Sequence, residues 1–389
     1  MHAPVCFDFN ATTPVDERVL RAMLPFLTGE WGNAFSHDHL YGWAAAEAVE
    51  EARRQVIDAL NVPANGVAIM SGATEALTTV IRSYFGYHGW YRKKIITCAT
   101  EHDAVLVPSR HLCARTGVAL EILPTDRAGR VDLDRLRDSL APAPASLVAL
   151  MAANNEIGTI HPMCEIAEIV HAAGGLFLCD TTQAIGKLHF DFEASGADFA
   201  TVSAHKIYGP KGVGALLIRN GLDDEIEPLI LGGGQERGVR GGTLNVPGIV
   251  GLGEACRLVQ EKIEEDVPRM ERLRDRLEDG ILSQVPEVWI NGDQSNRLCN
   301  TSNLGFKGID GRTLIRDMHD IAVSTRSACS SGHSGPSHVL KAIGLSDEDA
   351  YSCIRFSLGR FTTQVEIDYT IDKVVASVHK LRRFKSVRA

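Results

Sequence analysis

The sequence predicts an α/β chain: a large doubly wound domain with a mostly parallel sheet, followed by a smaller α+β unit. Three observations carry that reading. From about residue 66, short β-rich runs alternate with helical patterns, which implies parallel strands covered by helices on both faces. Each run ends in a cluster of polar residues, where an open α/β sheet gathers its strand-to-helix turns. After Gly251 the alternation stops and a long charged helical pattern takes over.

In order, "VAIM" (67–70) precedes the helical "TEALTTVIRSYF", and "KIITC" (94–98) precedes "DAVLVPSRHLCARTG". "ASLVALMAA" (145–153) precedes "MCEIAEIVHAAGG", in which Met163, Ile166, Ala167 and Val170 fall at helical spacing and Gly174-Gly175 stop the helix. "LFLCD" (176–180) and "DFATVS" (198–203) complete the set. The helix "EACRLVQEKIEEDVPRMERLRDRLEDGIL" is expected to be interrupted at Pro268, since proline donates no backbone hydrogen bond and crowds the preceding turn. Strand-like "EVWING", "NTSNLGF" and "IRFSLG" follow, then a last amphipathic helix, "EIDYTIDKVVASVHKLRRF", with the change of character near residue 255.

The bulk numbers exclude several classes. With 389 residues, 44% of them hydrophobic, the chain can bury a large core. Asp and Glu outnumber Lys and Arg by 49 to 40, so no global basic field is present to hold nucleic acid by counterion release. The start carries no signal-peptide pattern, and no stretch approaches the ~18 apolar residues of a membrane span, so a cytoplasmic protein without direct membrane contact is expected. Nine cysteines with no C-x-x-C pair argue against a disulfide framework or zinc knuckle. Most, Cys98, Cys179 and Cys256 among them, should be buried and reduced. The histidines show no ligand spacing, and no metal site is assigned.

Function is written in the strand ends. They read Ser71-Gly72-Ala73-Thr74, Thr100-Glu101-His102, Asn154-Asn155-Glu156, Asp180-Thr181-Thr182-Gln183 and Ser203-Ala204-His205-Lys206. One such end alone is ordinarily a turn or a helix cap; five in register point to one ligand. Gly72-Ala73-Thr74 opens a helix and makes an anion site, which Ser203 and His205 can extend. Asp180 can keep a pyridinium nitrogen protonated, and Lys206 can form a Schiff base. Together these describe a pocket for pyridoxal 5′-phosphate, with burial against its ring lowering the pKa of Lys206. "GPKGVG" lacks the GK[ST] ending of a nucleotide P-loop.

The motifs "SAHKIYGPKGVGAL", "NNEIGT", "DTTQAIGK", "SGATE", "TEH", "GGGQERGVRGGT", "RSACSSG" and "IRFSLGRFTT" resemble those of the NifS/IscS-type cysteine desulfurases, class V aminotransferases of fold type I, over nearly the whole chain. The resemblance implies a fold type I transferase with a large domain over 15–255 and a small one combining 1–14 with 256–389. It implies that Lys206 carries the cofactor, that Ala73, Thr74, Ser203 and His205 bind its phosphate, and that Thr243 does so across a homodimer. Asn155 and Gln183 would contact the phenolic oxygen, Asp180 the ring nitrogen, and His102 would stack on the ring and exchange protons. Arg355, with Asn155, would hold the substrate, its planar fork suiting a carboxylate.

By the same resemblance, Cys329 is the nucleophile: it takes sulfur from L-cysteine as a persulfide, releases L-alanine, and passes the sulfur to an acceptor protein. Iron–sulfur cluster assembly, tRNA thiolation and DNA phosphorothioation are the implied destinations. A free thiol titrates near ~8.5, so Cys329 needs help from His102 or a cation to become thiolate. Its surroundings, "STRSACSSGHSGPSHV", are rich in Ser and Gly and read as a mobile carrier loop. The sequence departs from the family where Arg326 replaces a glycine, a charge expected to favour the thiolate or to dock an acidic acceptor. The phosphate helix is less polar in its second turn. The ending "LRRFKSVRA", without an extended tail, counts against a housekeeping iron–sulfur role and makes DNA sulfur modification a serious candidate, while nothing in the sequence reads the acceptor. A selenocysteine lyase or another class V enzyme is the alternative, and a docking subunit of a sulfur-transfer complex a second; Cys329 on its loop argues against the first and the full catalytic set against the second.

Overall fold

A computed structural model describes residues 4–86, 94–142, 146–325 and 335–386. The elements run β1 (Val5–Cys6), α1 (Glu17–Thr28), α2 (Leu40–Leu60), β2 (Val67–Met70), α3 (Ala73–Gly86), β3 (Lys94–Cys98), α4 (Asp103–Thr116) and β4 (Ala119–Leu123). Next come α5 (Leu133–Leu140), β5 (Leu147–Met151), α6 (Met163–Ala172), β6 (Leu176–Asp180), α7 (Phe192–Ser195), β7 (Phe199–Ser203), β8 (Gly214–Ile218) and α8 (Val246–Leu282). The chain closes with β9 (Val288–Ile290), β10 (Thr301–Phe306), α9 (Gly311–Asp317), β11 (Ile321–Ala322), α10 (His338–Ala342), α11 (Asp347–Tyr351), β12 (Cys353–Ser357) and α12 (Gln364–Ser386).

A seven-stranded sheet in the order β2-β8-β7-β6-β5-β3-β4 forms the centre. Its strands read as continuous apolar runs because both faces are covered. Alternate side chains feed two cores: Val148 and Leu150 of β5 pack with Val56, Ile166 and Leu252, whereas Leu147 and Ala149 pack with Leu77, Ile81 and Val105. The strands from β7 to β4 pair in parallel, while β8 runs antiparallel to both β7 and β2. Residues 204–213 are too short to hold a crossover helix, so β8 turns straight back. Glycine makes that return possible: a Cβ on Gly214 would lie 2.2 Å from Val202 O and 2.8 Å from Gly72 Cα.

The helix expected to break at Pro268 does not. α8 continues through it for 37 residues. Proline removes one rung at a cost of about 3 kcal/mol. Against that, α8 buries Leu252 and Leu258 before the proline and Met270, Leu277 and Ile281 after it, each large side chain giving about 1.5–3 kcal/mol. Leu277 and Ile281 join a third core with Phe7, Leu304, Phe306, Phe356 and Ile367, around the antiparallel β12-β10-β9 sheet and the parallel β1-β11 pair. One helix thus supports a core of the large sheet and this third one, and the N-terminal strand packs with the last third of the chain. Among the described residues, no helix is long and apolar enough to cross a membrane.

Candidate active site

The carboxyl ends of β2, β3, β5, β6 and β7 meet at a cavity of about 460 Å³, closed on the other side by Asn10, Ala11, Thr12 and Arg355. Of the residues expected there, Ala73, Thr74, His102, Asn155, Gln183, Ser203, His205, Lys206 and Arg355 line it. Asp180 sits behind this wall, buried. Thr243 is exposed and outside the cavity. Cys329, Arg326 and the rest of 326–334 within the loop assigned to them lie outside the described residues, whereas its end from His338 opens α10.

At one end α3 begins at Ala73, and its first-turn amides have no intrahelical acceptor. A carboxylate in that turn, Glu75, is occupied: Oε2 accepts from Ser71 N at 2.6 Å and Oε1 from Arg240 Nε at 3.1 Å, and these partners hold its pKa below the usual value despite burial. Lys206 and Lys211 also line the cavity. His205 Nδ1 lies 3.1 Å from Thr12 Oγ1. Burial, aided by Lys206, Lys211 and Lys187, drives the His205 pKa down to about 4, so the ring is neutral at pH 7. Backbone bonds from Thr13 N to His205 O and from Asp16 N to Tyr208 O tie the N-terminal segment across this turn, and Lys206 Nζ donates to the carbonyls of Asn10 and Ala11, the latter at 2.8 Å.

At the centre, Asp180 Oδ1 accepts from Thr201 Oγ1 at 3.1 Å and Thr182 N at 3.0 Å, and both described bonds fall on this one oxygen. The two adjacent asparagines divide their work. Asn154 builds the turn, donating to Thr100 O and accepting from the amides of Glu156 and Ile157. Asn155 faces the cavity and uses only its backbone carbonyl, which accepts from Asn10 Nδ2 and Arg355 Nη1. His102 caps α4 through Nδ1, which accepts from Ala104 N at 3.1 Å. The neutral ring therefore carries its proton on Nε2.

At the far end Arg355 is 1% exposed. Nη2 donates to Asp8 at 2.5 Å and Nη1 to Asn155 O at 3.0 Å, while Nε is buried without a partner among the described residues. Its backbone pairs with Ser324, N to O at 2.7 Å, so the chain enters residues 326–334 from this wall. On the far side of residues 326–334 the chain is held next to two lining residues, Asn155 and His102: Ser337 Oγ donates to Glu156 Oε2 at 2.5 Å, and His338 Nε2 lies 2.9 Å from Glu101 O.

Sequence reasoning assigned no role to two buried ionisable groups. Lys187 donates to Gln183 Oε1 at 2.6 Å, and burial together with the charge of Lys206 lowers its pKa to about 7. Glu101 accepts from Met151 N at 2.7 Å and from the Cys98 thiol on Oε1, while Oε2 is buried with no partner among the described residues. Burial, reinforced by Asp180, pushes the Glu101 pKa up to about 8. The only sequence signal for either was its place in the quoted motifs. Cys98, Cys179 and Cys256 are buried, which raises their thiol pKa values and makes them poor nucleophiles.

The Glu101 shift makes a prediction about stability. Between pH 4.5 and 8 the unfolded carboxyl is ionised and the folded one is not, so the folded state binds the extra proton and loses stability as pH rises. At about 1.4 kcal/mol per unit, the loss across that window is on the order of 3–5 kcal/mol. Glu101→Gln keeps an oxygen for the Met151 amide and cannot ionise. In urea unfolding, its stability relative to the parent should rise steadily from pH 5 to 8; parallel pH profiles would show that Glu101 is not held neutral.

The chain matches the family described as Aminotransferase class-V over residues 5–370. It is 44% identical over 382 residues to a cysteine desulfurase IscS of Anaeromyxobacter dehalogenans, covering 98% of this chain and 94% of the relative. It is 43% identical over 384 residues to a cysteine desulfurase IscS of Haemophilus influenzae, with the same coverage of both chains. A solved NifS-like protein superposes with a TM-score of 0.87 at 37% identity, over 96% of this chain and 98% of that one. Family match, identity and superposition agree over nearly the whole length: the chain belongs to the class V aminotransferases, among the cysteine desulfurases of the NifS/IscS type.

Proposed function

We infer that the chain converts L-cysteine to L-alanine and transfers the sulfur to Cys329, with pyridoxal 5′-phosphate held in the cavity described above. The observation that carries this reading is the set of groups gathered at one cavity. A helix start with neutral and cationic donors, the Lys206 amine and a buried guanidinium with an unmatched N–H line it, and a half-committed carboxylate sits behind its wall. Members of this family depend on pyridoxal phosphate, and these residues fit it. Ala73, Thr74, Ser203 and His205 hold the phosphate, joined by the partner subunit's Thr243. Asp180 keeps a proton on the ring nitrogen, Asn155 and Gln183 face the ring oxygen, and Lys206 tethers the group. When bound, the cofactor supplies an electron sink beside the amino acid's Cα.

The chain's own residues do the rest. Arg355 binds the substrate carboxylate. Lys206 Nζ and His102 Nε2–H are placed to move protons at the cavity wall. Cys329, as thiolate, forms the S–S bond while the substrate's C–S bond breaks; the carbon keeps the electron pair and takes up a proton to leave as alanine. Both flanks of the segment containing Cys329 are fixed beside the cavity, through Ser324 on the lining residue Arg355 and Ser337 on Glu156, the neighbour of the lining residue Asn155. This supports delivery of the thiol to the site. The acceptor is a protein that takes the sulfur from Cys329.

A homodimer is supported by large apolar side chains left exposed among the described residues. Leu20, Leu24 and Leu27 form one exposed stripe of α1, and Leu40 and Trp31, which stacks on Tyr41, are 75% and 70% exposed. Cys329→Ser tests the reading. With L-cysteine, the wild-type Cys329 peptide should become one sulfur atom heavier, and Cys329→Ser should lose that product and nearly all alanine formation while retaining the cofactor. Undiminished alanine formation by Cys329→Ser would point instead to a lyase that needs no carrier thiol.

A further inference from the structure

Lys187 is buried, at 6% exposure, and its side chain makes one hydrogen bond among the described residues, from Nζ to Gln183 Oε1. Lysine is among the residue types least often buried unless paired. Here the charged groups acting on it most strongly are Lys206, Cys299 and Arg355, none of them a carboxylate. An amine buried beside two cations is unfavourable for folding, and such groups concentrate at functional sites.

What Lys187 touches gives it a task. An amide side chain has a donor end and an acceptor end of nearly equal shape, and only its partners decide which way it faces. Gln183 is bracketed. Its Nε2 donates at 3.0 Å to Asn10 O, a carbonyl that can only accept and that also takes Lys206 Nζ. Its Oε1 takes the hydrogen of Lys187. With the oxygen held by Lys187, the donor that Gln183 keeps for the cavity it lines is the second N–H of its amide.

We propose that Lys187 is a positioning residue: by donating to Gln183 Oε1 it locks the amide so that Gln183 presents a donor, selecting the anionic form of the ring oxygen in the bound cofactor. This deepens the cofactor reading given above and rests on it. Without Lys187 the amide is free to flip, an acceptor then faces the ring oxygen, and the anion loses its partner. A donor on that oxygen withdraws electron density from the conjugated system, so its loss makes the linkage to Lys206 more basic. A hydrogen bond to a charged group is large enough for a shift of about one pH unit.

The test is a double-mutant cycle on holoenzyme reconstituted with pyridoxal phosphate, read as the pH midpoint of the visible absorption band. Lys187→Met should raise the midpoint by about one unit. In a Gln183→Leu background, the same substitution should add almost nothing. Methionine has similar length and removes a buried charge, which favours folding; Lys187→Leu serves if it does not fold. A midpoint unmoved by Lys187→Met would overturn the proposal, as would a shift that persists in full without Gln183, since the charge would then act directly. If the wild type takes up no visible band, the cofactor reading itself fails and this proposal with it.

Discussion

Lys206→Ala is expected to lower alanine formation from L-cysteine by at least about 10³-fold, because it removes both the tether and a positioned proton-transfer group. The turn that holds Lys206 should survive. The lysine lies at the end of β7, and the backbone bonds that fix the turn, from Thr13 N to His205 O and from Gly209 N to Ala204 O, do not involve its side chain. Its amine donates to two carbonyls of the N-terminal segment, so some loosening of residues 10 and 11 is expected, without loss of the fold. Borohydride reduction should fix the cofactor on the wild-type peptide containing Lys206 and leave the variant unlabelled. A variant that keeps its turnover and its covalent label would remove Lys206 from the centre of the reaction.

Arg355→Leu should have the second-largest effect. The guanidinium is almost fully buried, and its Nε has no partner among the described residues. Removing one side of a buried charge-assisted contact costs about 2–4 kcal/mol, or roughly 30- to 1,000-fold in kcat/KM. The loss should fall mainly on KM, because a carboxylate remote from the breaking bond is held about equally in the ground and transition states. Asp8, the protein partner left behind, is 27% exposed in its side chain and can be hydrated, so the fold should persist. Arg355→Lys keeps the charge without the fork and should fall between the two. Steady-state kinetics on variants with an intact cofactor band check this. An unchanged KM would place the carboxylate elsewhere.

Much of this site was legible because its residues follow a positional rule. An apolar run that ends in polar residues marks a strand end, and Ser71, His102, Asn155, Gln183 and Ser203 all obey it. Which of two adjacent polar residues faces the ligand was not legible: only the turn geometry commits Asn154 to the backbone and leaves Asn155 free. Pro268 misled because its local cost is outweighed by burial on both sides, which a local pattern does not show. The reversal of β8 follows from a connection length that becomes visible only when both strand ends are known. Lys187 and Glu101 were illegible as functional groups because their burial without a counter-charge is a tertiary property. The same holds for Asn10, which serves Lys206 and Gln183 through its backbone carbonyl, a group every residue possesses.

Direct product analysis decides the central claim. Purified protein loaded with pyridoxal phosphate and given L-cysteine with a thiol reductant should release alanine and sulfide in equal amounts over many turnovers. Pyruvate and ammonia in place of alanine, or a bleached cofactor with no amino acid product, would contradict it.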